Sequence, residues 1–166
     1  DIADRLAFSE KAFIAGASAL VDGAPILCDC EMLSAGIIRR FLPAKNQIVV
    51  TLNDPSVPEL AKTISNTRSA AAVELWINQL EGALVAIGNA PTALFRLLEL
   101  IDQGAPKPAV ILGFPVGFVG AAESKAELAG NSRGCEFVSL RGRRGGSAIA
   151  AAAVNALAVG SLELTK

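Results

Sequence analysis

The chain has 166 residues, 52% of them hydrophobic and 19% charged, with a formal net charge of -1 and a pI of about 5.5. This length carries one domain, residues 1–166, with a substantial core, and the composition excludes disorder. The charge balance excludes a globally basic nucleic-acid binder and gives no attraction to an anionic membrane surface, so any anion must be held locally.

In chain order, a helical pattern at 9–21 leads into an apolar run at 25–29, and a second helical pattern covers 31–41. A strand-like run follows at 47–52. The long helical stretch 58–80 is interrupted by Ser65, Asn66, Thr67, Arg68 and Ser69, a polar cluster that invites a kink or a new helix start. Strand-like runs at 83–88, 108–113 and 136–140 then alternate with helical patterns at 92–103 and 121–129, and a small-residue helix at 145–159 closes the chain. The strand runs are short and nearly unalternating, as in strands covered on both faces. Strand and helix alternating in this way predict an α/β fold: a three-layer α/β/α sandwich with a five-stranded parallel sheet, flavodoxin-like. The stretches 106–122 and 145–162 approach a membrane span only in length. Gly and Pro break the first, Ser147 and Asn155 interrupt the second, and both read as buried elements with no membrane role.

Three cysteines and no histidine point to structural thiols in a reducing, cytoplasmic setting and to no metal site. The chain starts at Asp1 without Met or a signal-like segment, which reads as the start of a trimmed or partial sequence.

Ligands of such sheets bind beyond the carboxyl ends of the strands, and the informative loops lie there. Gly88-Asn89-Ala90-Pro91-Thr92 offers Asn89 as a cap, Pro91 for the first helical turn and bare amides for an anion or carbonyl. The 113–120 loop combines three glycines with Phe114 and Phe118, giving close backbone approach and apolar walls; it matches neither dinucleotide nor phosphate-loop spacing. Arg141 to Ser147 gathers three arginines suited to gripping carboxylates. Each loop also has a plain structural reading, as a capped helix, a turn or solvated charge. Together they describe a concave, partly apolar site for a large flat polycarboxylate.

The motifs "GAPILCDCEM", "ISNTRSAAA", "VAIGNAPTALF", "PVGFVGAAESK" and "GRRGGSAIAAAAVNAL" resemble the precorrin-8X methylmutase family, which includes a cobalt-precorrin-8 branch. The match runs from about residue 8 to 157 and leans toward the cobalt-independent type. The resemblance implies a methyl shift from C-11 to C-12 of a polycarboxylate tetrapyrrole, precorrin-8X, giving hydrogenobyrinic acid. It implies no cofactor, a flavodoxin-like fold, a homodimer and no nucleic-acid partner. Carried over residue by residue, it places Arg68 and Thr67, Met32, Asn89, Thr92, Gly117, Phe118, Ser124 and Lys125 around the ring, and Arg143, Gly146 and Ser147 at peripheral carboxylates. Family members also carry an N-terminal Arg-x-x-His motif whose histidine is the proposed general acid. This sequence holds no histidine, so its catalytic residue is left unassigned. A titratable donor near neutrality is what such a migration needs, and Asp29, Glu31 and Glu123 are the substitutes if burial raises one of them. Two other functions stay open: a non-catalytic tetrapyrrole binder, and a flavodoxin-like enzyme acting on a phosphorylated small molecule.

Overall fold

The unalternating apolar runs form strands because helices cover the sheet on both sides. The computed structural model describes residues 2–164. In chain order the elements are β1 (Leu6–Phe8), α1 (Ala12–Val21), β2 (Ile26–Cys28), α2 (Glu31–Ala35), β3 (Ile48–Val50), α3 (Val57–Thr63) and α4 (Arg68–Glu74). They continue with β4 (Leu84–Ile87), α5 (Pro91–Asp102), β5 (Val110–Gly113), α6 (Ala121–Gly130), β6 (Glu136–Leu140) and α7 (Ser147–Leu164). The sheet order is β1-β6-β5-β4-β2-β3. Strands β2 to β6 are mutually parallel and, counted one to five, lie in the order 2-1-3-4-5 of the flavodoxin-like arrangement. Every residue of β2, β4 and β5 is buried.

The sheet has six strands rather than the expected five. β1 runs antiparallel to β6, pairing Ala7 with Ser139, and buries only its middle residue. Three residues are too few for a periodic signal, so this edge strand was invisible in the sequence. Ser9, expected to open the first helix, instead holds the end of β1: its hydroxyl donates to the Glu136 carboxylate and accepts the Phe137 amide at 2.9 Å. The helix starts three residues later.

Two other expected helices are broken. The 31–41 pattern divides into α2 and a single 3-10 turn at Arg39–Phe41. Asn155 on α7 pins the break, accepting the Ile38 amide at 2.8 Å and donating to the Gly36 carbonyl at 3.0 Å. The 58–80 stretch splits at the polar cluster, where Ser65 takes a φ of +50° and Thr67 caps α4 by accepting the Ala70 amide at 3.1 Å.

The small residues of α7 allow close approach to the sheet and its neighbouring helices. A Cβ on Gly36 would come within 2.7 Å of Ala151, and one on Gly88 within 2.7 Å of the Ser147 backbone. Although α7 is long and apolar enough by composition to cross a membrane, Ala150, Ala151, Val154, Leu157 and Ala158 are buried in the protein core.

The strand order reverses between β2 and β4. There Asp29, just past β2, accepts the amides of Gly88 at 2.9 Å, Asn89 at 2.9 Å and Ala90 at 2.8 Å, just past β4. Burial pushes the Asp29 carboxyl above its ordinary range, with the three amides acting in the opposite sense. Asp29→Ala strands these donors, each worth about 1–3 kcal/mol when left unmade. Urea denaturation is expected to show a loss of about 3 kcal/mol or more; a loss below about 1 kcal/mol would mean that the loop does not depend on this carboxylate.

Candidate functional site

The carboxyl ends of the parallel strands carry five loops, and specific contacts join them into one surface. The first link is the Asp29 carboxylate under the 88–90 turn. Its consequence revises the sequence expectation: the amides of Gly88, Asn89 and Ala90 are occupied from below and are not available to a ligand. Asn89 does not cap α5 either. Ala90 holds the cap position without a side-chain bond, and the Asn89 side chain is exposed at the surface.

Thr92, in the first turn of α5, lies 2.8 Å from Thr67, oxygen to oxygen. Because Thr67 is also the cap of α4, this contact sets Arg68 beside the α5 N-terminus. The Arg68 guanidinium reaches the loop after β3, donating to the Leu52 carbonyl at 3.3 Å and Asn53 Oδ1 at 3.4 Å. Asn53 lies just past β3. Its role in steadying Arg68 has no signature in sequence, since fifteen positions separate the two.

On the other side of the 88–92 turn, Gly120 has a φ of +81°, and a Cβ there would meet Pro91 at 3.2 Å. The loop it closes displays Val116, Phe118 and Val119, of which Phe118 is 87% exposed and Val119 89%. Met32, at the start of α2, is 75% exposed. Apolar side chains so far out of the core form adhesive walls of the kind found around binding sites. Gly117 has a φ of +142° with open space around it, so only glycine leaves that face of the loop bare.

The last loop, 141–146, docks against the 113–120 loop. The Gly146 amide donates to the Phe114 carbonyl at 2.8 Å, and the Arg143 guanidinium lies 5.5 Å from the centroid of the Phe118 ring. Val116, Gly117, Phe118, Arg143 and Arg144 enclose a small cleft of about 210 Å³.

Three expected site residues are not at the surface. Ser124 is buried and donates to the Ala121 carbonyl at 3.3 Å. Ser147 is buried with its hydroxyl 3.2 Å from the Cys30 sulfur. Lys125 is buried on α6 with its ammonium on the Arg144 carbonyl, and burial lowers its pKa to about 8. Their motifs pack beneath the loops rather than above them.

Electrostatics sort the arginines by role. Arg96 is tied to Glu74 and Glu99, and Arg133 to Asp102 and Glu127. Among the described residues, seven arginines form no ion pair: Arg5, Arg39 and Arg40, and, in the loops at this edge, Arg68, Arg141, Arg143 and Arg144. In a chain of net charge -1, this leaves unneutralised cations on one edge, arranged around apolar walls. Such an edge attracts an anion with a flat apolar body. The three cysteines are free and buried, and the described residues contain no cluster of His, Cys, Asp or Glu suited to a metal ion.

Known proteins resemble this chain in sequence and in fold. A sequence profile described as Precorrin-8X methylmutase matches residues 1–159. The chain is 63% identical over 158 residues to Precorrin-8X methylmutase of Pseudomonas aeruginosa, covering 95% of this chain and 76% of the relative. It is 37% identical over 160 residues to Cobalt-precorrin-8 methylmutase of Priestia megaterium, covering 96% and 70%. The solved structure of precorrin-8x methyl mutase from Thermus thermophilus superposes with a TM-score of 0.85 at 37% identity, covering 98% of this chain and 79% of that one. With the profile matching nearly end to end and the fold in agreement, the chain belongs to the precorrin-8X methylmutase family.

Proposed function

We propose that this chain performs the isomerase step of cobalamin biosynthesis in which a methyl group moves from C-11 to C-12 of precorrin-8X, giving hydrogenobyrinic acid. One observation carries the reading: the unpaired guanidinium groups of Arg68 and Arg143 stand at the carboxyl edge of the sheet together with the exposed apolar Met32 and Phe118. A tetrapyrrole-derived ring fringed with carboxylates matches both parts. The higher identity to the Pseudomonas relative supports the cobalt-free substrate over its cobalt-containing counterpart.

In this reading the edge residues bind and orient. Arg68, steadied by Leu52 and Asn53, holds one peripheral carboxylate. Thr67 and Thr92 offer hydroxyls beside it, and Arg143 with Arg144 holds a second group across the 113–120 loop. Holding a ring at several points fixes the migrating carbon against its destination, which is the entropic part of such a rearrangement. Asp29 does not serve as the acid facing the ring, because both its oxygens accept amides and the residue is buried. Glu31 and Glu123 are exposed carboxylates at the starts of α2 and α6.

The chain is also proposed to act as a homodimer in a reducing, cytoplasmic compartment. Support for the first comes from an apolar groove of about 420 Å³ between α1, α7 and the β1 edge, bordered by Phe8 and Phe13, which are 65% and 50% exposed. Support for the second comes from the three free, buried thiols.

Two measurements test this reading. Absorbance titration with hydrogenobyrinic acid is expected to give saturable binding near one ligand per chain, weakened about 10- to 100-fold by Arg68→Ala, as for loss of a charge-assisted contact. Binding displaced by inorganic phosphate would instead favour a phosphorylated small molecule, and indifference to Arg68→Ala would remove that residue from the site. Light scattering after size exclusion is expected to give twice 17.1 kDa, reduced to the single-chain mass by Phe8→Glu with Phe13→Glu. A single-chain mass for the unaltered protein would exclude the dimer.

A further inference from the structure

We infer that Lys125 is a positioning residue: from beneath the surface it fixes the Arg143–Arg144 turn in the arrangement that receives a ligand's carboxylates. The inference rests on the reading of the site proposed above. Lysine is almost never fully buried without a counter-charge. Lys125 is 1% exposed, and among the described residues it forms no ion pair; its ammonium donates to the Arg144 carbonyl. The main-chain carbonyl of an exposed arginine is thus the polar partner of the cation carried into the protein.

The turn it holds is constrained from the other side as well. The Gly146 amide is bonded to Phe114, and a Cβ on Gly145 would fall 2.3 Å from the Phe114 carbonyl oxygen. With Lys125 holding the Arg144 carbonyl and the 114–115 backbone packed on Gly145 and Gly146, the C-terminal half of the turn is clamped from two sides. The two arginine side chains are then left to face outward.

Charge gives the clamp a direction. Lys125 shares a cavity of about 400 Å³ with Ser139 and Arg141, and Arg144 packs on its ammonium through the carbonyl. The carboxylates of its own helix, Glu123 and Glu127, are exposed, and Glu127 is paired with Arg133. A cation placed among arginines with no acid to balance them raises the positive potential at the turn, which an arriving carboxylate relieves. Burial brings the Lys125 pKa down to about 8, so this contribution is titratable. Below about pH 8 the ammonium is present and the turn is held; as pH rises through that value the charge is lost and the bond to the carbonyl weakens.

The test is Lys125→Met, which keeps the apolar stem and removes the ammonium, measured by absorbance titration with hydrogenobyrinic acid and by thermal melting at pH 7. A positioning role predicts affinity lower by about tenfold with the melting temperature kept or raised, because an unpaired buried cation has been removed. Affinity matching that of the unaltered chain would overturn the inference, and so would a parallel loss of affinity and melting temperature. If the variant does not fold, the unaltered chain titrated from pH 7 to pH 9.5 decides: binding is expected to weaken several-fold through about pH 8, and a flat profile would overturn the inference. Failure of the unaltered chain to bind at pH 7 would instead overturn the reading of the site on which this rests.

Discussion

The bond between the Asp29 carboxylate and three consecutive amides at Gly88, Asn89 and Ala90 is the constraint on which the rest of the site depends. It joins the ends of β2 and β4 at the one place where strand order reverses. An open parallel sheet separates its crossover helices there, and a crevice follows. In many proteins the amides beyond such a strand meet an anionic ligand. Here an internal carboxylate has taken that place, which rigidifies the turn and, in the function proposed, leaves the recognition of anions to side chains.

That transfer explains the layout of the edge. With the turn fixed, Pro91 and Thr92 start α5 at a defined position, Thr92 meets Thr67, and Thr67 caps the helix that begins with Arg68. On the other flank Gly120 packs on Pro91, and the Phe114 carbonyl receives the Gly146 amide. Guanidinium groups therefore reach the surface from two sides of a rigid centre, and exposed apolar side chains lie between them. Arginine suits this task because its planar donors grip carboxylates in pairs and it stays charged at any working pH.

The sequence shows the architecture more clearly than the site. The five parallel strands were legible because runs such as Val85 to Ile87 and Val110 to Leu112 are apolar without alternation, which only a doubly covered strand tolerates. The sixth strand, Leu6–Phe8, was not, since three residues carry no period. The break at Thr67 was visible in its polar neighbours, whereas the break at Gly36 depends on Asn155, more than a hundred residues away. Arg68, Phe118 and Arg143 were readable as surface residues from their loops. Ser124, Lys125 and Ser147 were not readable as buried ones, because burial of a polar side chain is decided by partners elsewhere in the chain, namely the carbonyl of Ala121, the carbonyl of Arg144 and the sulfur of Cys30. The same limit hid the part played by Asp29, whose amide partners lie some sixty positions away.

The most direct test of where this molecule holds its ligand is a crystal structure of the chain with hydrogenobyrinic acid bound. The ring is predicted to lie across the carboxyl edge of the sheet, between Arg68 with the Thr67–Thr92 pair on one side and Phe118 with Arg143 on the other, with the amides of Gly88, Asn89 and Ala90 still on Asp29. A ring seated in the groove between α1 and α7, or drawing those amides away from Asp29, would contradict this placement.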